Sequence, residues 1–161
     1  MAMTFVLTTR GIPEIYYGSE ILLTTGADKG HGVLRRDFPG GWPTDERNAF
    51  TEQGRTDKEN DMFNFVKNLL NYRKSSEVLQ AGSLRHFIPQ DGIYTYFRYN
   101  LHDTVMVAMN NNEVEKTFET RRYVEFLKNH KTGTDIISGQ TLKDLSNLTL
   151  QAKSAMVIEL K

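Results

Sequence analysis

The chain has 161 residues, enough for one domain, or one and part of another, with a buried core. Twenty basic residues balance twenty acidic ones, which removes the electrostatic case for nucleic acid or an anionic membrane surface. The absence of cysteine rules out disulfides, thiol nucleophiles and thiolate metal sites and leaves the compartment undecided.

No apolar run approaches the roughly 18 residues of a membrane span. Residues 1–10 lack the basic front and small-residue cleavage site of a secretory signal, and read as a segment of something longer. "MAMTFVLTTRG" is expected to be the end of a helix. Met3, Phe5, Val6 and Leu7 are apolar, Arg10 suits a helix C-terminus, Gly11 suits the left-handed position after it, and Pro13 follows. The alternative is a strand, because "TFVLTT" is rich in β-formers. "IPEIYYG" is expected to form a short strand, with Pro13 at its tolerated first position and Gly18 closing it.

Residues 18–55 carry glycine, proline, charge and aromatics without a period. Loops of that length are functional or disordered. Disordered tracts avoid aromatics, and this one holds Phe38, Trp42 and Phe50, so it reads as an ordered functional loop. A strong helix follows. Thr56 and Glu59 have the spacing of a capping box, and Met62, Val66, Leu69 and Leu70 share one face. It should run to about Lys74, with a further turn at "SSEVLQ" before Gly82.

From Ser83 the texture changes. "LRHFIP", "GIYTYFRYN", "TVMVAMN", "EKTFET", "TDIISG", "LTLQA" and "SAMVIEL" are short β-rich runs separated by turn residues, as in an antiparallel sandwich. "RRYVEFLKN" interrupts them as a short helix or an irregular edge. Asn110, Asn111 and Asn112 read as a hairpin turn, since Asn tolerates left-handed geometry. A lone strand between two helices cannot make a parallel sheet, so the first seventy-odd residues look like part of a larger α/β structure.

"RGIPEIYYGSE" resembles the eighth-strand motif of the α-amylase superfamily, glycoside hydrolase family thirteen. Gly11, Ile12, Pro13, Ile15, Tyr16, Tyr17, Gly18 and Glu20 all match that pattern. "HGVLRRDFPGGW" is most similar to the neopullulanase and cyclomaltodextrinase branch. The resemblance implies an α+β chain: a C-terminal antiparallel β-sandwich at 81–161, preceded at 1–80 by the last β/α unit of a truncated (β/α)8 barrel. It also implies retaining α-glucan hydrolysis by a nucleophilic carboxylate, an acid/base carboxylate and a third that stabilises the transition state. In the family these follow strands four, five and seven. None can be matched in this chain, so no catalytic residue is assigned and the chain alone is expected to be inactive.

The resemblance places Tyr16, Tyr17, Gly18 and Glu20 at the barrel rim. The tyrosines are read as barrel packing, Gly18 as a tight turn, and Glu20 as a buried acceptor for loop amides or else a substrate contact. Arg35, Asp37 and Trp42 are candidates for glucan contact, with locking of the loop as the alternative. His31 with Asp28 is too small a set for zinc. No cofactor is expected. Calcium occurs in some family members, but no acidic loop supports it here. His86, His102 and His130 read as ordinary surface or strand residues. The aromatics Phe87, Tyr94, Tyr96, Phe97 and Tyr99 read as sandwich core rather than a sugar platform. The expected partners are α-glucan through a parent active site, the missing barrel, and other copies through exposed barrel surfaces. The alternative is a carbohydrate-binding or docking β module without catalysis.

Overall fold

A computed structural model describes residues 1–24 and 30–161, without the side chain of residue 34. The chain divides by packing into two units, Met1–Pro13 with Asn68–Lys161, and Glu14–Lys67.

The first unit begins with α1 (Ala2–Thr8), the helix expected from the sequence. It ends earlier than expected. Thr9 is already extended, Arg10 lies beyond the last turn, and Gly11 takes its positive φ of 127° past the cap. After the short helix α2 (His31–Leu34) comes α3 (Asp57–Ser75), which contributes to both units, and then α4 (Glu77–Ala81). The hydroxyl of Ser76 caps α4 by accepting from Leu79 N.

The strands are β1 (Ser83–His86), β2 (Ile93–Tyr99), β3 (Thr104–Asn110), β4 (Lys116–Glu119), β5 (Gly133–Asp135), β6 (Thr141–Leu142), β7 (Asn147–Leu150) and β8 (Ala155–Leu160). Six form one antiparallel sheet in the order β1-β2-β3-β8-β5-β6, and β4 pairs with β7 as a separate ribbon. Between β4 and β5 the chain makes a 3-10 turn at Arg121–Tyr123 and the short helix α5 (Val124–Leu127).

The aromatics of "GIYTYFRYN" are explained by a sheet covered on both sides. Successive strand residues point to opposite faces. Phe97 enters a core with Met106, Ala108 and Ile158 of the sheet and Leu148 and Leu150 of the ribbon. Phe126 of α5 stacks on Phe97 with ring centres 4.4 Å apart. On the other face, Tyr96 meets α1: its ring lies edge-on to Phe5 and its hydroxyl bonds that of Thr8. Every residue of β3 except Thr104 is buried, as in a strand with no wet face.

Arg98 follows Tyr96 on that second face and is 0% exposed. Its guanidinium donates to the carbonyls of Thr8 (2.9 Å), Thr9 (2.9 Å) and Gly82 (3.0 Å). Arg73 of α3 donates to the carbonyls of Leu7 and Gly11, each at 2.8 Å. The last carbonyls of a helix have no intrahelical partner, and here two arginines supply them.

Three sequence expectations are corrected. Residues 12–16 form no strand, because a ladder needs a neighbouring strand and none pairs with them among the described residues. The β-run "TDIISG" stops at Asp135, whose carboxylate accepts from Ser138 N and its hydroxyl and turns the chain. Residues 110–112 are not a hairpin turn, since β3 and β4 lie in different sheets and none of the three asparagines has positive φ. Asn110 is instead a buried connector, its amide donating to the carbonyls of Val114, Leu150 and Gln151.

Replacing Arg98 by Met should destabilise the first unit by about 3 kcal/mol, because three carbonyls lose a charged donor at once. Lys should not rescue it, having no planar fork. Urea unfolding of the three proteins measures this, and equal midpoints for wild type and Arg98→Met would show the clasp to be dispensable.

Candidate functional site

The sequence candidates lie in the unit Glu14–Lys67. At its start, Tyr16 and Tyr17 stand side by side with ring centres 4.6 Å apart. They are 53% and 42% exposed. Gly18 follows at φ 83°, and a Cβ there would lie 2.6 Å from the Leu23 side chain, so the turn admits only glycine. The Leu23 N–H donates to the Gly18 carbonyl at 2.8 Å and closes it. Glu20 sits half-buried in the 3-10 turn Ser19–Ile21. Its carboxylate accepts no hydrogen bond from the described residues.

The Tyr17 hydroxyl donates to the Arg36 carbonyl at 3.0 Å, joining this turn to the loop after α2. Its pKa is raised, first by the neighbouring Tyr16 hydroxyl and further by Asp37, while Arg35 acts the other way.

The Trp42 indole N–H donates to Asp37 Oδ2 at 2.9 Å. Trp42 is 60% exposed, so the bond fixes the ring while its faces stay open. The loop around it is held by Asp45, which accepts from the backbone N–H groups of Gly40 (2.7 Å) and Trp42 (3.1 Å). Phe38 and Phe50 pack with ring centres 4.5 Å apart. A groove of about 470 Å³ is lined by Arg36, Asp37, Pro39, Asp45, Glu46 and Arg47.

Arg47 anchors the groove to α3. Its guanidinium makes two bonds to the Glu59 carboxylate, at 2.6 and 2.8 Å, and a third to the Gly54 carbonyl at 3.1 Å. The same carboxylate accepts from Thr56 N at 2.8 Å, and Glu59 N donates back to the Thr56 hydroxyl at 3.4 Å. The expected capping box is formed. Its coupling to Arg47 has no sequence signal, since the two residues share no periodic element.

The structure thus brings Asp37 and Trp42 into direct contact. Arg35 ends α2 and is exposed, without a hydrogen bond to either. Asp45 and Arg47 were missed by sequence reasoning. The turn residues of "PGGWPTD" were the available signal for Asp45. An aromatic face beside a carboxylate suits a hydroxyl-rich ligand. Among the described residues no group of three or more His, Asp or Glu could hold a metal ion, and Asp28 lies outside them.

Residues 84–159 match the family described as the Cyclo-malto-dextrinase C-terminal domain. The chain is 27% identical to a cyclomaltodextrin glucanotransferase of Niallia circulans, over 97% of the chain and 20% of that protein. It is also 27% identical to a cyclomaltodextrinase of Thermoanaerobacter pseudethanolicus, over 99% of the chain and 24% of that protein. Among solved structures, a cyclomaltodextrin glucanotransferase with a three-domain ABC distribution superposes with a TM-score of 0.70 at 25% identity, covering 98% of the chain and 31% of its own. An α-amylase from Geobacillus thermoleovorans, complexed with acarbose, has the same fold with a TM-score of 0.73 at 21% identity, covering 99% of the chain and 32% of its own. The chain therefore spans about a fifth to a quarter of the length of these two sequence relatives.

A mostly antiparallel β unit with these relatives defines a C-terminal domain of the carbohydrate-active enzymes. Residues 84–159, just under half of the chain, match the model of a cyclomaltodextrinase-like C-terminal domain.

Glu59 titrates at about 2 against an ordinary 4.5, chiefly through its bonds to Arg47. Its contribution to stability is therefore complete above pH 4.5 and is lost as pH falls toward 2. Glu59→Gln should flatten that part of the acid-unfolding profile followed by helical circular dichroism. An unchanged profile would remove Glu59 from the account of acid stability.

Proposed function

We propose that the chain is the C-terminal part of a retaining α-glucan hydrolase of the α-amylase or neopullulanase type, acting on starch, maltodextrin or cyclodextrin. In this reading residues 1–80 are the last β/α unit of a (β/α)8 barrel and 81–161 its C-terminal β domain. The catalytic carboxylates lie outside the chain. The observation that carries the reading is the match over nearly all of this chain to relatives named for cyclomaltodextrin. The eighth-strand motif at residues 10–20 supports it.

The exposed apolar side chains agree with a missing neighbour. Ile12 is 99% exposed, although the motif makes it a barrel-strand residue. Phe5, Val6 and Leu70 are exposed as well. The rest of a barrel would cover them, and in its absence another copy of the chain can. Tyr16, Tyr17, Gly18 and Glu20 form the rim in this account, and Arg35, Asp37 and Trp42 contact the glucan.

Purified chain incubated with maltodextrin should release no reducing sugar above a mock preparation. Turnover would overturn the placing of the carboxylates elsewhere.

A binding function without catalysis is favoured by one observation, the open but fixed ring of Trp42. Maltoheptaose should alter the emission of this single tryptophan, and Asp37→Ala should weaken the response several-fold by removing the acceptor that fixes the indole. A flat titration would remove Trp42 from the sugar contacts.

A further inference from the structure

The β unit has a groove of about 460 Å³ of its own, beside β4, within the range of ligand pockets. All four residues of β4 line it. Successive strand residues point to opposite faces, so four in a row can line a groove only if it runs along the strand edge. β4 pairs with β7 alone, which leaves that edge with backbone donors and acceptors to offer.

The opposite wall is a rigid turn. Gln90 and Ile93 exchange backbone hydrogen bonds of 2.8 and 3.0 Å, and Asp91 between them takes φ 51°. Arg122 is held in place against this wall. It donates to Gln90 Oε1 at 2.7 Å and to the Ile88 carbonyl at 3.1 Å, with the Tyr123 ring 5.4 Å away. Two of its five N–H groups are used there, leaving three. Asp91 and Glu119 have no ion-pair partner among the described residues. Phe118 supplies a half-buried ring.

The lining therefore mixes fixed donors, fixed acceptors and one apolar face, with cations and carboxylates nearly balanced. A polyanion or polycation gains little from such a surface. A hydroxyl both donates and accepts, and vicinal hydroxyls meet carboxylates and guanidinium groups in pairs. A strand-adding peptide fits less well, because β4 is only four residues long and carries Lys116 and Glu119, charges of the kind that guard sheet edges.

We propose that the groove between β4 and the Gln90–Ile93 turn binds a neutral oligosaccharide through Arg122, Asp91, Glu119 and the Phe118 ring. That the sugar is an α-glucan rests on the function proposed above.

The test is an amide-resolved NMR titration of the whole chain with maltoheptaose and, separately, cellohexaose. Each is taken to about 10 mM, where even millimolar affinity approaches saturation. Saturable shifts at Gln90, Asp91, Thr117 and Phe118 with maltoheptaose are expected. Glu119→Gln, at an exposed position, should weaken them about tenfold, the loss of one charge-assisted hydrogen bond. Shifts at these residues with cellohexaose alone support the groove and overturn the α-glucan assignment. No shift there with either sugar, or affinity unchanged by Glu119→Gln, overturns the groove.

Discussion

A buried guanidinium with no ion-pair partner among the described residues lies in the first unit. Burial pushes the pKa of Arg98 down, and the charge of Arg73 adds to the effect. What keeps such a cation inside is a shell of carbonyls from Thr8, Thr9 and Gly82. The first two are the loose end of α1, a helix of seven residues too short to persist alone, and the third caps α4. The helix solvates the charge, and the charge holds the helix on the sheet. The dipole of α1 assists, since its negative end meets the two arginines. Because Arg98 and Tyr96 point to the helical side, Thr95 and Phe97 are free to build the opposite core, where the Thr95 hydroxyl accepts from Tyr123.

Much of this was legible because it is local. Thr56 and Glu59 announce the start of α3 by type and spacing. The short β-runs after Ser83 separate at turn residues, so most strands were visible. What could not be read depends on distant partners. Nothing in "RYN" says that Arg98 will be buried on helix carbonyls. The tyrosine segment has the composition of a strand but lacks a neighbour to pair with. Asn110 looks like a turn former and becomes a buried cross-link, because three carbonyls from two other segments converge on it.

The candidate site shows the same split. Asp37 and Trp42 were recognisable as a polar and an aromatic residue in an unpatterned loop, and they prove to be bonded to each other. The Tyr17 contact with the Arg36 carbonyl spans nineteen residues without a regular element to predict it. The family match and the eighth-strand motif also lie on different parts of the chain. The matched domain begins at residue 84, and the motif ends at residue 20. The resemblance seen in the sequence and the family match thus rest on separate stretches of the chain.

Glu59 bonds both Arg47 and the first turn of α3. One carboxylate therefore fastens the rim of the loop groove to the start of the helix. Loss of that carboxylate would weaken the loop anchor and the helix cap together. The loop cannot fray without uncapping the helix, and the helix cannot lose its first turn without releasing the loop.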